Sequence, residues 1–413
     1  MSTYSGFTNT KYKPTSRDLV ATFRVSSKGV SFSEAANAVA GESSIGTWTE
    51  VYTEDKKMAK KLKPTIFKQN PKTKLISIAY PEELFEAGNI PQTLSSIAGN
   101  IYGMKLVSGL RFEDITFPKN YLKKFKGPYY GIEGIRKLLK IKERPLVGTI
   151  VKPKLGLNPA KHAKVAYDAW IGGCDIVKDD ENLTSMKFNE FNSRISKTLN
   201  LLDKAETKTG DVKVYMPNIS APYDEMIKRA EFVKSHSGKY LMVDVVTVGF
   251  SALQSLRNEN FKLVFHAHRA GHAAFTRSKD HGISMLVFAK FCRLCGMDQL
   301  HTGTVLGKME GSRDEVIEIN NAMRSKINMP GIKTTLPVAS GGVYPTLVPE
   351  MMKLMGNDIA IQAGGGIHGH PQGTTAGAKA MLQAVHAAMN KVPLEKYALV
   401  HPELKSALKK WKN

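Results

Sequence analysis

An α/β architecture, a (β/α)8 TIM barrel preceded by a smaller α+β domain, is the fold class this sequence predicts, on three observations. Eight short apolar runs recur over residues 146–365, spaced widely enough for a helix to return between them. Each run turns polar toward its carboxyl end, the end at which a barrel gathers chemistry on one face. Ahead of them no continuous βα period emerges. The expected division is an amino-terminal α+β domain, 1–130, and a barrel domain, 131–413, with a helical tail.

In the first part, DLVATFRVS and TKLISIAYP alternate like half-buried strands, while SFSEAANAVAGES and PQTLSSIAGNIYG read as helix or helix-to-loop. The eight later runs are LVGTIVKP, CDIVKDDE, VKVYMPNIS, YLMVDVVTV, KLVFHAHR, DQLHTGTV, TTLPVASGG and DIAIQAGG. Between them AKHAKVAYDAWIG, DEMIKRAEFVKSH and SALQSLRNE carry helical apolar spacing. An open doubly wound sheet is the alternative, but no dinucleotide-type glycine loop follows the first of these runs.

Over 413 residues, 42% hydrophobic and 23% charged content place the chain in the soluble globular class. No run of about 18 uncharged apolar residues suggests a membrane span. The opening MSTYSGFTNTKYKPTSRD lacks the apolar centre of a secretory signal and reads as a loose lead-in, and the low cysteine count makes a reducing, cytoplasmic location the expectation. Three cysteines cannot build a disulfide framework, and the lone CxxC of Cys292 and Cys295 reads as packed helix. Lys plus Arg outnumber Asp plus Glu by 59 to 37, a net charge of +22 that attracts phosphates and nucleic acid alike. The lysines are dispersed, and no zinc finger, phosphate loop or RNA-binding signature accompanies them, so nucleic acid is not the expected partner.

The stretch GGCDIVKDDE concentrates acids in a basic chain. Strand alternation puts Lys178 and Asp180 on one face, and a break at Asn182 lets Glu181 join them. Oxygen-rich ligation suits magnesium; a solvated acidic turn paired to lysines is the bland alternative. Lys178 either salt-bridges the acids or, as a neutral amine, takes up carbon dioxide and becomes a third oxyanion.

GTIVKPKLG sets Lys152 and Lys154 two residues apart at a strand exit, one suited to proton exchange and the other to an anionic substrate. In FHAHRAGH, His268 can act as a base and Arg269 can clamp phosphate, whereas His266 or His272 taken alone reads as satisfying buried backbone acceptors. Lys308, between glycines in HTGTVLGKMEG, suits a closing loop. VASGG and IQAGGG offer backbone donors for phosphate, so a ligand with two phosphates fits the assembled face.

These motifs resemble the ribulose-1,5-bisphosphate carboxylase/oxygenase (Rubisco) family. The matches are ESSIGTWT, AGNIYG, GTIVKPKLGL, GGCDIVKDDE, FHAHRAGHAAFTR, HTGTVLGKMEG, VASGG and IQAGGGIHGHPQG, in family order over residues 42–373. The resemblance implies a ferredoxin-like amino-terminal domain, a barrel, and sites completed across a subunit pair. By it, Lys178 carries a carbamate made from an activating CO2, and that group, Asp180 and Glu181 hold Mg2+. Lys152 exchanges protons, Lys154 positions the intermediate, and His268 assists hydration. Arg269 and His301 hold one phosphate, and Lys308 closes over the gas. Ser340, Gly341 and Gly342 line the substrate; Gln362, Gly364 and Gly365 enclose its other phosphate. Glu42, Thr47, Trp48 and Asn100 match the neighbouring subunit's contribution.

The implied substrates are ribulose 1,5-bisphosphate, CO2 and competing O2. The implied assembly is a homodimer with shared sites, or a larger ring such as a decamer of dimers, without a small subunit. Gln372 stands where the plant type has tryptophan and Ile150 where it has threonine, and the segment from Glu310 to Ser340 is shorter. These features resemble the archaeal form III branch, associated with AMP and nucleoside salvage. A Rubisco-like enolase or tautomerase is the nearest enzymatic rival; retention of both KPK lysines, KDDE, HAHR and the loop lysine argues against it. A basic nonenzymatic nucleic-acid or assembly protein leaves those groups without a task.

Overall fold

Period-two burial builds the amino-terminal sheet. The computed structural model describes residues 4–306 and 312–411. Strand β1 (Asp18–Ser27) buries Leu19, Ala21, Phe23 and Val25 on one face, the pattern of a half-covered strand. It pairs antiparallel with β3 (Leu75–Pro81) and β4 (Val107–Thr116), and β2 (Thr65–Asn70) adds beyond β3. A two-residue strand from much later in the chain, β10 (Gly282–Ile283), joins β4 in parallel, giving the order β10-β4-β1-β3-β2. The helix Phe32–Glu42 packs on β1, and Ser31 with Glu34 closes its start in a reciprocal capping box.

This first compact unit runs to Lys126 and also takes in Gly271–Cys295 and Ser325–Ile332. The helix Met285–Leu294 is buried along its whole length; Phe291 meets Phe117 edge-on and Lys290 pairs with Asp114. Cys292 and Cys295 lie buried inside it. Burial pushes Cys292 up to about 12 and Cys295 well above the ordinary thiol range, so burial disfavours the thiolate at both.

The second unit holds the eight expected strands. They are β5 (Leu146–Ile150), β6 (Ile176–Lys178), β7 (Val214–Met216), β8 (Tyr240–Asp244), β9 (Val264–His268), β11 (Gln299–His301), β12 (Leu336–Ser340) and β13 (Ala360–Gln362). All pair in parallel, in the order β7-β6-β5-β13-β12-β11-β9-β8. The two end strands meet just past β7: Ile219 N donates to Met242 O at 3.0 Å, and Met242 N donates to Pro217 O at 2.8 Å. That junction turns the sheet into a barrel and rules out the open doubly wound form. Ile132, Ile135 and Leu139 of the helix Gly131–Leu139 pack with Leu146, Ile176, Val214, Tyr240 and Val264 in one apolar cluster.

Acids at the strand entries are structural. Asp175, one residue before β6 and not within it, accepts two bonds from Arg144 at 2.7 Å each and one from Val147 N at 2.8 Å. Asp298, before β11, takes Arg257 at 2.7 Å and the amides of Tyr130, Gly131 and Phe265. Both buried charges are fully paired, the condition under which such charges are tolerated. Among the described residues, no helix is long and apolar enough to cross a membrane.

Candidate active site

At the exit of β6, successive side chains point to opposite sides, and the four residues after Val177 divide into two jobs. Lys178 closes the strand and is only 1% exposed. Its Nζ donates to Asp179 O at 2.7 Å, lies 3.2 Å from Met242 Sδ and sits 3.9 Å from Glu181 Oε2. Burial lowers the pKa of this ammonium, with Lys152 acting in the same direction, and the pull of Glu181, Asp180 and Asp179 does not restore it.

Asp180 faces the same side. Its Oδ2 accepts from Lys152 Nζ at 2.6 Å, and its Oδ1 from Asn182 Nδ2 at 3.0 Å. Burial works against its charge, yet the bonds from Lys152 and Asn182 outweigh that and hold the carboxyl below its usual range. Asp179 turns the other way, into the protein. It bonds Arg194 at 3.2 Å, Asn218 N at 2.9 Å and the Tyr215 hydroxyl, with His162 Nε2 at 3.1 Å. Against burial, Arg194, His162 and Tyr215 hold it at about 2. Asn218 in turn donates to Glu181 O at 3.0 Å, so this buried acid braces the turn that presents Asp180 and Glu181.

Opposite lies a histidine cluster from β9 and β11. His268 Nδ1 bonds Asp244 Oδ1, at the end of β8, at 3.0 Å, and its Nε2 faces Glu181 Oε2 at 3.6 Å. Buried His301 bonds Ser340 Oγ through Nδ1 at 2.6 Å and His266 Nε2 through Nε2 at 2.9 Å. Both His301 ring nitrogens therefore have protein partners, so a phosphate contact there requires one of them to be exchanged. His266 continues to Gln299 Oε1 at 2.9 Å; its partners are side chains, not the backbone acceptors expected from sequence. His272, in the first unit, bonds Thr276 Oγ1 locally.

Half-buried Arg269 follows His268. Burial drops its guanidinium to about 10, against the pull of Glu315, so an arriving anion would favour the charge that burial penalises. Gly303 makes room for it: φ is +95°, and a Cβ there would stand 2.8 Å from Arg269 Nη2. Gly364 does the same for Lys152, whose Cε lies 3.2 Å from where a Cβ would be, while a Cβ at Gly365 would meet nothing within 4 Å. Gly341 and Gly342 continue β12 at positive φ. Gln362 is buried, and its Oε1 has no partner among the described residues. A cavity of about 610 Å³ opens beside Glu181, Ser220, Asp244 and Ala270.

The expected residues are not all gathered. Lys154 is exposed, and Lys308 lies outside the described residues. In the first unit, Glu42 accepts from the Tyr4 hydroxyl at 2.5 Å, Thr47 is half-buried, and Trp48 (80% exposed) and Asn100 are exposed. Asp244, Asn218 and Gln299 escaped the sequence reading. Asp244 had a usable signal, an acid ending the apolar run YLMVD. His368 lay inside a quoted motif without an assignment; it bonds Thr149 Oγ1 at 2.9 Å and Thr374 Oγ1 at 3.0 Å, and burial lowers it to about 4.

Comparison with known proteins agrees with this architecture. Residues 131–411 match the ribulose bisphosphate carboxylase large chain catalytic domain, and residues 6–121 its amino-terminal domain. The ribulose bisphosphate carboxylase of Methanocaldococcus jannaschii is 52% identical, covering 98% of this chain and all of that one. Among solved structures, the octameric Rubisco of Pyrococcus horikoshii superimposes with a TM-score of 0.94 at 45% identity, over 98% of this chain and 96% of that one. The dimeric archaeal Rubisco of Hyperthermus butylicus gives 0.94 at 43% identity, over 99% of both. Coverage of both domains, at these identities, leaves no part of the described fold to another family: the chain belongs to the Rubisco large-chain family, on its archaeal form III branch, and is a ribulose-1,5-bisphosphate carboxylase/oxygenase.

Proposed function

We propose that the β6 exit is the activation site of this carboxylase, with Lys178 as the group that CO2 modifies. The observation that carries this is a buried amine, its pKa lowered, beside two carboxylates. A neutral amine attacks CO2, forming an N–C bond and releasing a proton to solvent, and the positive charge that burial penalises disappears. The donor set fits magnesium only after that step. Among the described residues no three His, Cys, Asp or Glu side chains converge on an ion, whereas a carbamate on Lys178 adds a third oxyanion to Asp180 and Glu181. Bound there, Mg2+ supplies stabilisation of negative charge on substrate oxygens.

The remaining roles belong to the chain. The Lys178 carbamate takes the proton lost in enolisation, and Lys152, oriented by Asp180, exchanges protons with substrate and product. His268, held by Asp244, assists hydration. Lys154 positions the intermediate, and Lys308 closes over the gas. Arg269 and His301 hold one phosphate; Ser340, Gly341 and Gly342 line the sugar; Gln362, Gly364 and Gly365 enclose the other phosphate. These remote grips orient the reacting carbons. Glu42, Thr47, Trp48 and Asn100 complete the site of a second copy, which makes a homodimer the least assembly with whole sites. The solved relatives described as dimeric and octameric are compatible with that unit. In a cytoplasmic form III enzyme, nucleotide-derived pentoses would supply the substrate.

The test is fixation of labelled CO2 by purified protein preincubated with CO2 and Mg2+, then given ribulose bisphosphate. Two 3-phosphoglycerates per turnover are expected, one of them carrying the label, and both dependent on preincubation. Enolisation without fixation would instead favour the Rubisco-like rival.

A further inference from the structure

Four side chains form an unbroken line from the wall of the barrel to its open face. Gln299 Oε1, His266 Nδ1, His266 Nε2, His301 Nε2, His301 Nδ1 and Ser340 Oγ are joined at 2.9, 2.9 and 2.6 Å. Gln299 and His266 are fully buried, His301 nearly so, and Ser340 half-exposed. Burial lowers His266 to about 3 and His301 well below the ordinary histidine range, so both rings are neutral under working conditions. A neutral imidazole carries one N–H and one bare nitrogen. Each bond in the line therefore dictates the next.

We infer that Gln299 is a positioning residue: through His266 and His301 it fixes which face the Ser340 hydroxyl turns to the substrate, and it fixes Ser340 as an acceptor. With the Gln299 carbonyl oxygen toward His266, the proton of His266 sits on Nδ1 and its Nε2 is bare. His301 must then donate from Nε2, leaving its Nδ1 to accept from Ser340 O–H. The Ser340 lone pairs remain for a hydroxyl of the sugar. Turning the amide over reverses every bond and makes Ser340 a donor. The Gln299 Nε2 has no partner among the described residues, so the amide is held chiefly by this relay. The step from Ser340 to substrate rests on the proposed placement of Ser340 in the site; the proton order does not.

Ring nitrogens report their own protonation, so the test is 15N NMR of full-length protein carrying 15N-histidine. Wild type is expected to show His266 as the Nδ1–H tautomer and His301 as Nε2–H; the opposite pair overturns the inference. In Gln299→Leu, an orphaned buried N–H costs more than a bare ring nitrogen, so both tautomers should reverse; unchanged tautomers overturn it as well. Gln299→Met, closer in volume, replaces Leu if that variant does not fold. Reversal should lower kcat/KM for ribulose bisphosphate about tenfold, mostly through KM. In a Ser340→Ala background the same change should add no further loss. Reversed tautomers with unaltered kcat/KM would sink the placement of Ser340 against substrate and leave the relay standing.

Discussion

Lys178 is buried where burial is unfavourable, and that cost is what makes its amine available. The desolvated ammonium loses its proton more readily than a surface lysine, which is what attack on CO2 requires. Lys178→Met should therefore cut fixation by at least about 10²–10³-fold, while thermal unfolding stays level or rises, because no charge needs burying. A parallel fall in melting temperature would contradict a functional cost at this position. His266 gives a pH prediction with a definite sign. Its folded pKa is about 3 against 6.5 unfolded, so the unfolded chain binds the extra proton between those values. Stability is then complete above about 6.5 and is lost as pH falls toward 3, by about 1.4 kcal/mol per pH unit for each such histidine. Denaturant midpoints measured from pH 7 to 4 should decline in this window, and less steeply in His266→Asn.

At the scale of the element, the β6 exit separates stability from chemistry by alternation alone. Asp179 is buried on Arg194, so Asp179→Ala leaves an unpaired buried guanidinium and should cost about 3–5 kcal/mol in chemical denaturation. Asp180→Asn, on the open side, should abolish fixation with a much smaller stability change. Sequence showed three acids in a row; only the strand's register shows that they do different work. The same holds for the acids before strands, Asp175 and Asp298, which hold the barrel, against Asp180 and Glu181 after β6, which share the side of Lys178. Gly303 is a second element-level case. Its φ of +95° and the 2.8 Å approach to Arg269 mean that Gly303→Ala should displace the guanidinium, raising KM for ribulose bisphosphate about tenfold with little change in kcat. An unchanged KM would remove Arg269 from the phosphate grip.

For the whole molecule, the barrel was legible because eight apolar runs with polar ends admit few arrangements, and the motifs sit at those ends. The amino-terminal sheet was only half legible: β2 and β4 carry weaker alternation, and β10 joins through a parallel contact that no local pattern announces. Gln299 was invisible for a related reason, since a buried amide acquires meaning only from the histidine it faces. The site residues proposed on the amino-terminal unit lead to an assembly prediction. Coexpressed Glu42→Gln and Lys178→Met chains, each inactive alone, should recover fixation in mixed dimers, where one site receives both intact halves; no recovery would confine each site to one chain. The most direct measurement concerns Lys178 itself: trap the carbamate after incubation with labelled CO2 and Mg2+, then map the label. The account predicts one label per chain, on Lys178, appearing in step with activity and absent from Lys178→Met. Full fixation with Lys178 unmodified, or label on another residue in step with activity, would contradict it.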